Sequence, residues 1–320
     1  MTTDTAQPAA NATRRGTVEL TLAMVLSGTL GIFVVESGAS PFEVVFFRCL
    51  FGALALGAYC LARGYFTDHA FTPRKLALAA LGGVFIVFNW VFLFEAYEES
   101  SISLATAVYH TQPFYVVLLG ALLFKERLTA ATFGWLGVAF AGLLLVSGVS
   151  PSDPGSLTGL GFALLAALFY AVSTVITKRV TGVRPHLVAL VQVLVGIPLL
   201  LPFADLAAVN GLGAGWAWLV GLGVIHTCLM YVLMYSAYQK LTTSKIAVLA
   251  FVYPAVAMVA DGVVYGNRIG LVQALGVPLI LVASLRINRT RQQPRTVARS
   301  ATDPAPVTTP APAPAAPSRR

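Results

Sequence analysis

The sequence predicts an all-α polytopic membrane protein, with ten transmembrane helices arranged as two inverted five-helix repeats. Three observations predict it. Of 320 residues, 57% are hydrophobic and only 11% charged, with a mean hydropathy of +0.79, whereas a soluble domain is roughly 25% charged. The stretch 104–145 is predominantly apolar, broken by Pro113 and by a charged hinge, Lys125-Glu126-Arg127; each membrane helix needs roughly 20 such residues. That stretch also has a copy. A shift of 141 positions lays Pro113 on Pro254 and Arg127 on Arg268, and pairs Gly82 with Gly223, Tyr97 with Tyr238 and Ser103 with Ser244 without a gap.

Taken in order, residues 1–17 form a short polar leader ending near Arg14 and Arg15. These arginines resemble the basic start of a signal peptide, but nine further apolar segments favour a retained first helix. The first repeat, 18–149, holds spans at 18–35, 43–62, 75–95, 102–124 and 130–148. A turn-forming linker follows at 150–157 (Ser150-Pro151-Ser152-Asp153-Pro154-Gly155). The second repeat, 158–285, holds spans at 158–177, 186–203, 214–236, 243–264 and 268–285. Pro113, Pro254 and Pro278 interrupt spans four, nine and ten, which is tolerated where neighbours satisfy the freed backbone groups. Gly28, Gly31, Gly134, Gly137 and Gly142 suit close helix packing, since lipid supplies no hydrophobic drive between helices. Residues 286–320 hold seven Arg, one Asp and seven Pro. They have too little apolar surface to fold, and predict a disordered tail whose basic first half lies against anionic lipid.

Charge sets the expected orientation. With the N-terminus inside, 19 of the 21 basic residues fall inside or at inner helix ends, all but Arg48 and Arg268. The positive-inside rule therefore puts both termini in the cytoplasm of a multi-pass protein of the cell membrane. Five spans per repeat is odd, so the halves enter the membrane in opposite senses. Paired loops agree: Glu98-Glu99 becomes Gln239-Lys240, and Lys125-Glu126 becomes Gly266-Asn267. Inverted repeats are a signature of secondary transporters. The net charge of +8 lies at segment ends and in the tail, which suits orientation and gives no expectation of nucleic-acid binding. Cys49, Cys60 and Cys228 form no CxxC and suggest neither a disulfide framework nor a metal site.

Two repeats of five spans, each with a proline in its fourth helix, an (E/N)-R-(L/I) hinge and a Gly-rich fifth helix, resemble the drug/metabolite transporter superfamily. The similarity is to its EamA-type ten-helix members. It rests on SISLATAVYHTQPFYVVLLGALLFKERLTAATFGWLGVAFAGLLLV and TTSKIAVLAFVYPAVAMVADGVVYGNRIGLVQALGVPLILVASL, and covers 18–285. The resemblance implies a secondary active transporter, an exporter, of a small metabolite such as an amino acid or an amphiphilic compound. It would work by alternating access with proton coupling or exchange. It also implies that spans 1, 3, 4, 6, 8 and 9 surround a central cavity, with spans 5 and 10 peripheral. Glu126 matches the acidic residue that commonly opens the family hinge, and Asn267 departs from it.

Few groups in the spans change charge, and each is costly enough there to mark function by default. Arg48, matched by Gln192 in the other half, has two readings: it pairs with Glu36 or Glu43, or it serves the translocation path as a carboxylate-binding fork. His110, beside Gln112 and before Pro113, is a candidate for substrate contact or proton coupling. The proline removes a donor next to the carbonyl of residue 109. Asn89, Trp90, His226, Tyr231 and Tyr253 complete the candidate lining, and Asp261 is either a polar cap near Asn267 or a proton-binding carboxylate. Pro113, Pro254, Glu126, Arg127 and Arg268 are the expected structural hinge. No HExxH, GxxxxGK, CxxC or GxGxxG occurs in a fitting context, so no cofactor is expected. The alternatives are an intramembrane enzyme or lipid-handling protein, which needs clustered acids or a nucleophile with a base, and a channel, which needs a continuous polar stripe. The expected partners are a small-molecule substrate, membrane lipid and protons, for a monomer or homodimer.

Overall fold

The computed structural model describes residues 6–67, 70–124, 154–241, 249–250, 252–267 and 270–292, with scattered positions between 131 and 145. Lys125, Glu126, Arg127, Arg268, most of the fifth span and the tail beyond Gln292 lie outside the described residues. The described chain is helical. α1 (Ala6–Glu36), α2 (Pro41–Ala62) and α3 (Pro73–Glu99) are long; the fourth span is split into α4 (Ile102–Tyr109) and α5 (Gln112–Phe124). In the second half come α6 (Pro154–Thr177), α7 (Pro185–Leu200) and one continuous rod made of α8 (Gly215–Gly223), a π-helical segment Val224–Leu229 and α9 (Met230–Tyr238). α10 (Val252–Val264) and α11 (Leu271–Gln292) complete it. Among the described residues five helices are long and apolar enough to cross a membrane, and α7 and α10 are shorter apolar ones.

Two expected boundaries are corrected. α1 starts at Ala6, inside the expected leader, where Arg15 reaches Glu19 one turn on at 2.9 Å. α11 runs to Gln292, seven residues into the expected tail. In both places the helix continues past the apolar stretch of its span.

Packing follows the repeat. α3 packs against α6 and α7, and its counterpart rod α8–α9 packs against α1 and α2. α2 meets its repeat mate α7, and α4 meets α10, the repeat mate of α5. Small residues permit these approaches. A Cβ on Gly83 would lie 2.9 Å from Gln192 Cα, and one on Gly223 would overlap the Phe51 side chain and sit 2.7 Å from the Gly52 amide nitrogen. Gly28 packs on Val256, Gly31 on Ile102 and Gly142 on the carbonyl of Gly276, as expected. Gly134 and Gly137 do not: no described atom lies within 4 Å of a Cβ built there. Large apolar side chains such as Leu61, Leu122, Val263 and Leu271 are 70–88% exposed, which suits a lipid-facing exterior.

Candidate functional site

Both repeat prolines sit in the first turn of a helix, Pro113 in α5 and Pro254 in α10, where the missing N–H would have no intrahelical partner. The helix before Pro113 accordingly stops one turn early. His110 closes α4, and its Nδ1 meets the Thr106 carbonyl at 2.8 Å. A carbonyl only accepts, so Nδ1 carries the proton there. The break turns Tyr109, His110 and Gln112 toward an internal cavity of about 470 Å³. Spans one, two, three, four, six, seven, eight and nine all contribute to its wall.

The cavity straddles the repeat. Trp90 and Tyr231, Leu93 and Met234, Tyr109 and Ala250, and Gln112 and Tyr253 are repeat mates at the 141-residue shift, and every one lines it. So do Arg48 and its mate Gln192. Of the candidates, the structure brings together Arg48, Trp90, His110, Gln112, Tyr231 and Tyr253.

Arg48 is 2% exposed. Its Nε donates to Thr227 Oγ1 at 3.1 Å, and its guanidinium carbon lies 4.1 Å from the Trp90 ring centroid, within cation–π range. It is not paired with Glu36 or Glu43, which corrects that reading. Glu36 accepts from the Tyr265 hydroxyl, while Glu43 accepts from Ser40 and from the Asp205 amide. Thr227 is held for Arg48 by the π-helical segment, its hydroxyl donating to the Leu222 carbonyl five residues back at 3.0 Å. Such segments recur at functional sites.

Three candidates lie outside the cavity wall. Asn89 does not line the cavity; it is fully buried, donating to the Ala166 carbonyl at 2.7 Å and bonding the Tyr109 hydroxyl. His226 is buried against α1, with Nε2 3.2 Å from Thr29 Oγ1 and its ring edge-on to Phe33. Asp261 takes the cap role, accepting the Ser103 amide at the start of α4 (3.0 Å) and Asn267 Nδ2 (3.1 Å). A carboxylate at a helix N-terminus also faces the positive end of the helix dipole.

The cavity is closed at one end and open at the other. At the closed end the hydroxyls of Tyr253, in the cavity wall, and Tyr97, in a recess shared with Gly38 and Glu98, stand 3.5 Å apart. The exposed Lys178 and Tyr238 line the open end. It lies on the side of the chain's N-terminus, where Lys240 Nζ binds Glu19 at 2.6 Å. The sequence reading expected the sixth span at the cavity but named none of the residues that α6 contributes to its wall. Their signal was present, since Tyr170, Ser173, Thr174 and Thr177 recur at i, i+3, i+4 and i+7, one helix face.

Residues 15–148 and 157–289 each match the EamA-like transporter family. The chain is 36% identical over 282 residues to the uncharacterized transporter YxxF of Bacillus subtilis, covering 86% of this chain and 90% of that protein. It is 27% identical over 274 residues to an uncharacterized transporter of Archaeoglobus fulgidus (85% and 96% covered), and 25% identical over 297 residues to the pseudopaline exporter CntI of Pseudomonas aeruginosa (87% and 98% covered). A solved crystal structure sharing 22% identity superposes with a TM-score of 0.61 over 87% of this chain and 98% of its own.

Proposed function

The chain belongs to the EamA-like transporter family, and from that premise we propose that it exports a small metabolite across the cell membrane by alternating access. Family and relatives are transporters, which sets the enzyme alternative aside. One observation carries the reading: a cavity lined by four repeat-mate pairs, closed at one end and open at the other. A channel would be continuous, whereas a carrier opens one end at a time.

The charge distribution supports a cytoplasmic position for the open end, and on that reading this conformation is inward-open. The inverted repeat then supplies the other conformation. Tyr97 and Tyr253 partition the closed end, and their repeat mates are Tyr238 and Gln112. Both mates line the cavity, and the buried Gln112 Oε1 has no hydrogen-bond partner. When the outer end opens, Tyr238 closes on Gln112 as Tyr97 now closes on Tyr253. His110 is the group for proton coupling, because it lines the cavity and an imidazole can take up and release a proton.

The test is a substrate-library screen in proteoliposomes, with and without an imposed proton gradient. Coupling through His110 predicts that His110→Gln keeps counterflow but loses the response to the gradient. Flux that ignores the gradient yet follows counter-substrate makes the protein an exchanger and returns His110 to a structural role.

A further inference from the structure

We propose that the substrate carries a carboxylate, and that Arg48 is the group that holds it. This rests on the transporter reading above and adds the chemical class. Arg48 keeps its charge at any pH a cell meets, because guanidinium does not deprotonate in proteins. A buried charge is normally paired, since water no longer solvates it. Here Nε is held by Thr227 and the flat face by Trp90, but Nη1 is buried with no hydrogen-bond partner. The guanidinium is thus positioned by its neighbours while part of its donor fork stays unused.

Among the described residues no carboxylate is there to use it. The cavity wall contains no Asp or Glu among the described residues. Of the acids on the neighbouring helices, Glu19 binds Lys240 and Arg15, Glu36 binds Tyr265, Glu43 binds Ser40 and the Asp205 amide, and Asp261 binds Ser103 and Asn267, while Glu95, Glu98 and Glu99 lie at the C-terminal end of α3, outside the wall. Lys178 adds a second positive side chain at the open end, which favours entry of an anion. The other half shows what a purely structural residue looks like at this position. Gln192 is neutral and its Nε2 donates to Thr177 Oγ1 at 3.0 Å. Around Arg48 the wall is aromatic, with Trp90, Tyr109, Tyr170, Tyr231 and Tyr253, so the carboxylate is attached to an apolar body. A planar carboxylate fits a guanidinium fork better than a point charge would.

The experiment is a tryptophan-fluorescence titration of the purified full-length protein with matched probes: 3-phenylpropionate against 3-phenylpropanamide, and phenylalanine against phenylalaninamide. Trp90 reports directly because it stacks on Arg48, and a Trp90→Phe variant identifies its signal. The carboxylates are expected to bind at least ~10-fold more tightly than the amides. Arg48→Gln, which copies the residue of the other half, is expected to weaken carboxylates ~10- to 100-fold and leave the amides unchanged, the range of a charged hydrogen bond. Arg48→Lys should recover part of the loss. Equal binding of acids and amides, unaltered acid binding by a folded Arg48→Gln variant, or no acid binding by folded wild type would each overturn the inference. Counterflow in proteoliposomes separates the two readings. Transport that Arg48→Gln leaves intact removes Arg48 as the anion site and keeps the transporter. Arg48-dependent binding without counterflow of any bound probe keeps the site and removes the transporter reading.

Discussion

Asn89 and Asp261 show how a polar side chain inside a membrane protein serves the fold. Asn89 ties α3 to α6 through the Ala166 carbonyl and orients Tyr109 in the cavity wall. Asn89→Ala leaves that hydroxyl and carbonyl without their partner, and should cost about 1–3 kcal/mol of stability, read as a lower melting temperature in detergent. Asp261→Ala removes the cap from α4 and should cost about 0.5–2 kcal/mol. Because Asp261 lies outside the cavity wall, that variant should keep the pH dependence of transport unchanged. The sequence identified these residues as exceptional, since polar groups stand out in apolar helices. It did not separate cavity from brace, because helices apolar on every side carry no periodicity that says which neighbour a residue meets. Arg48 is the opposite case. Its mismatch with Gln192 was visible in the sequence, while its partners, Thr227 and Trp90, come from distant helices.

At the scale of elements, the break at His110-Thr111 was anticipated by Pro113, whose missing donor weakens the helix at the preceding turn. The π-helical segment was not anticipated. Its counterpart in the first half, 83–88, is ordinary α-helix within α3, so the ungapped repeat gave no hint of it. Thr227→Val keeps the shape of the side chain but removes the acceptor for Arg48 Nε. It should destabilise by about 1.5–3 kcal/mol in thermal denaturation, as expected for a hydrogen bond to a charged group. Helix contacts make a second, sharper comparison. Gly223→Ala forces the α8–α9 rod away from α2 and should cost about 1–3 kcal/mol, whereas Gly161→Ala on α6 meets nothing within 4 Å. The second change should be neutral or stabilising by up to about 1 kcal/mol, because alanine is the better helix former.

For the whole molecule, the duplication was legible from one offset, because a gap-free repeat preserves its small residues and prolines while its loop charges change, and the motifs it aligns carried the resemblance to the family. What the offset could not give was the conformation. That needed the closed Tyr97–Tyr253 end and the open end beside Lys178 and Tyr238, which arise from how the halves lean on each other. Symmetry converts this one conformation into a statement about the next: Tyr238 must meet Gln112. The most direct measurement is disulfide formation in a Gln112→Cys, Tyr238→Cys protein whose Cys49, Cys60 and Cys228 are replaced by alanine. The account predicts that the pair oxidises in proteoliposomes while substrate is being exchanged, that oxidation stops counterflow, and that reduction restores it. Sustained counterflow under oxidant, with no cross-link between the two positions, would contradict it.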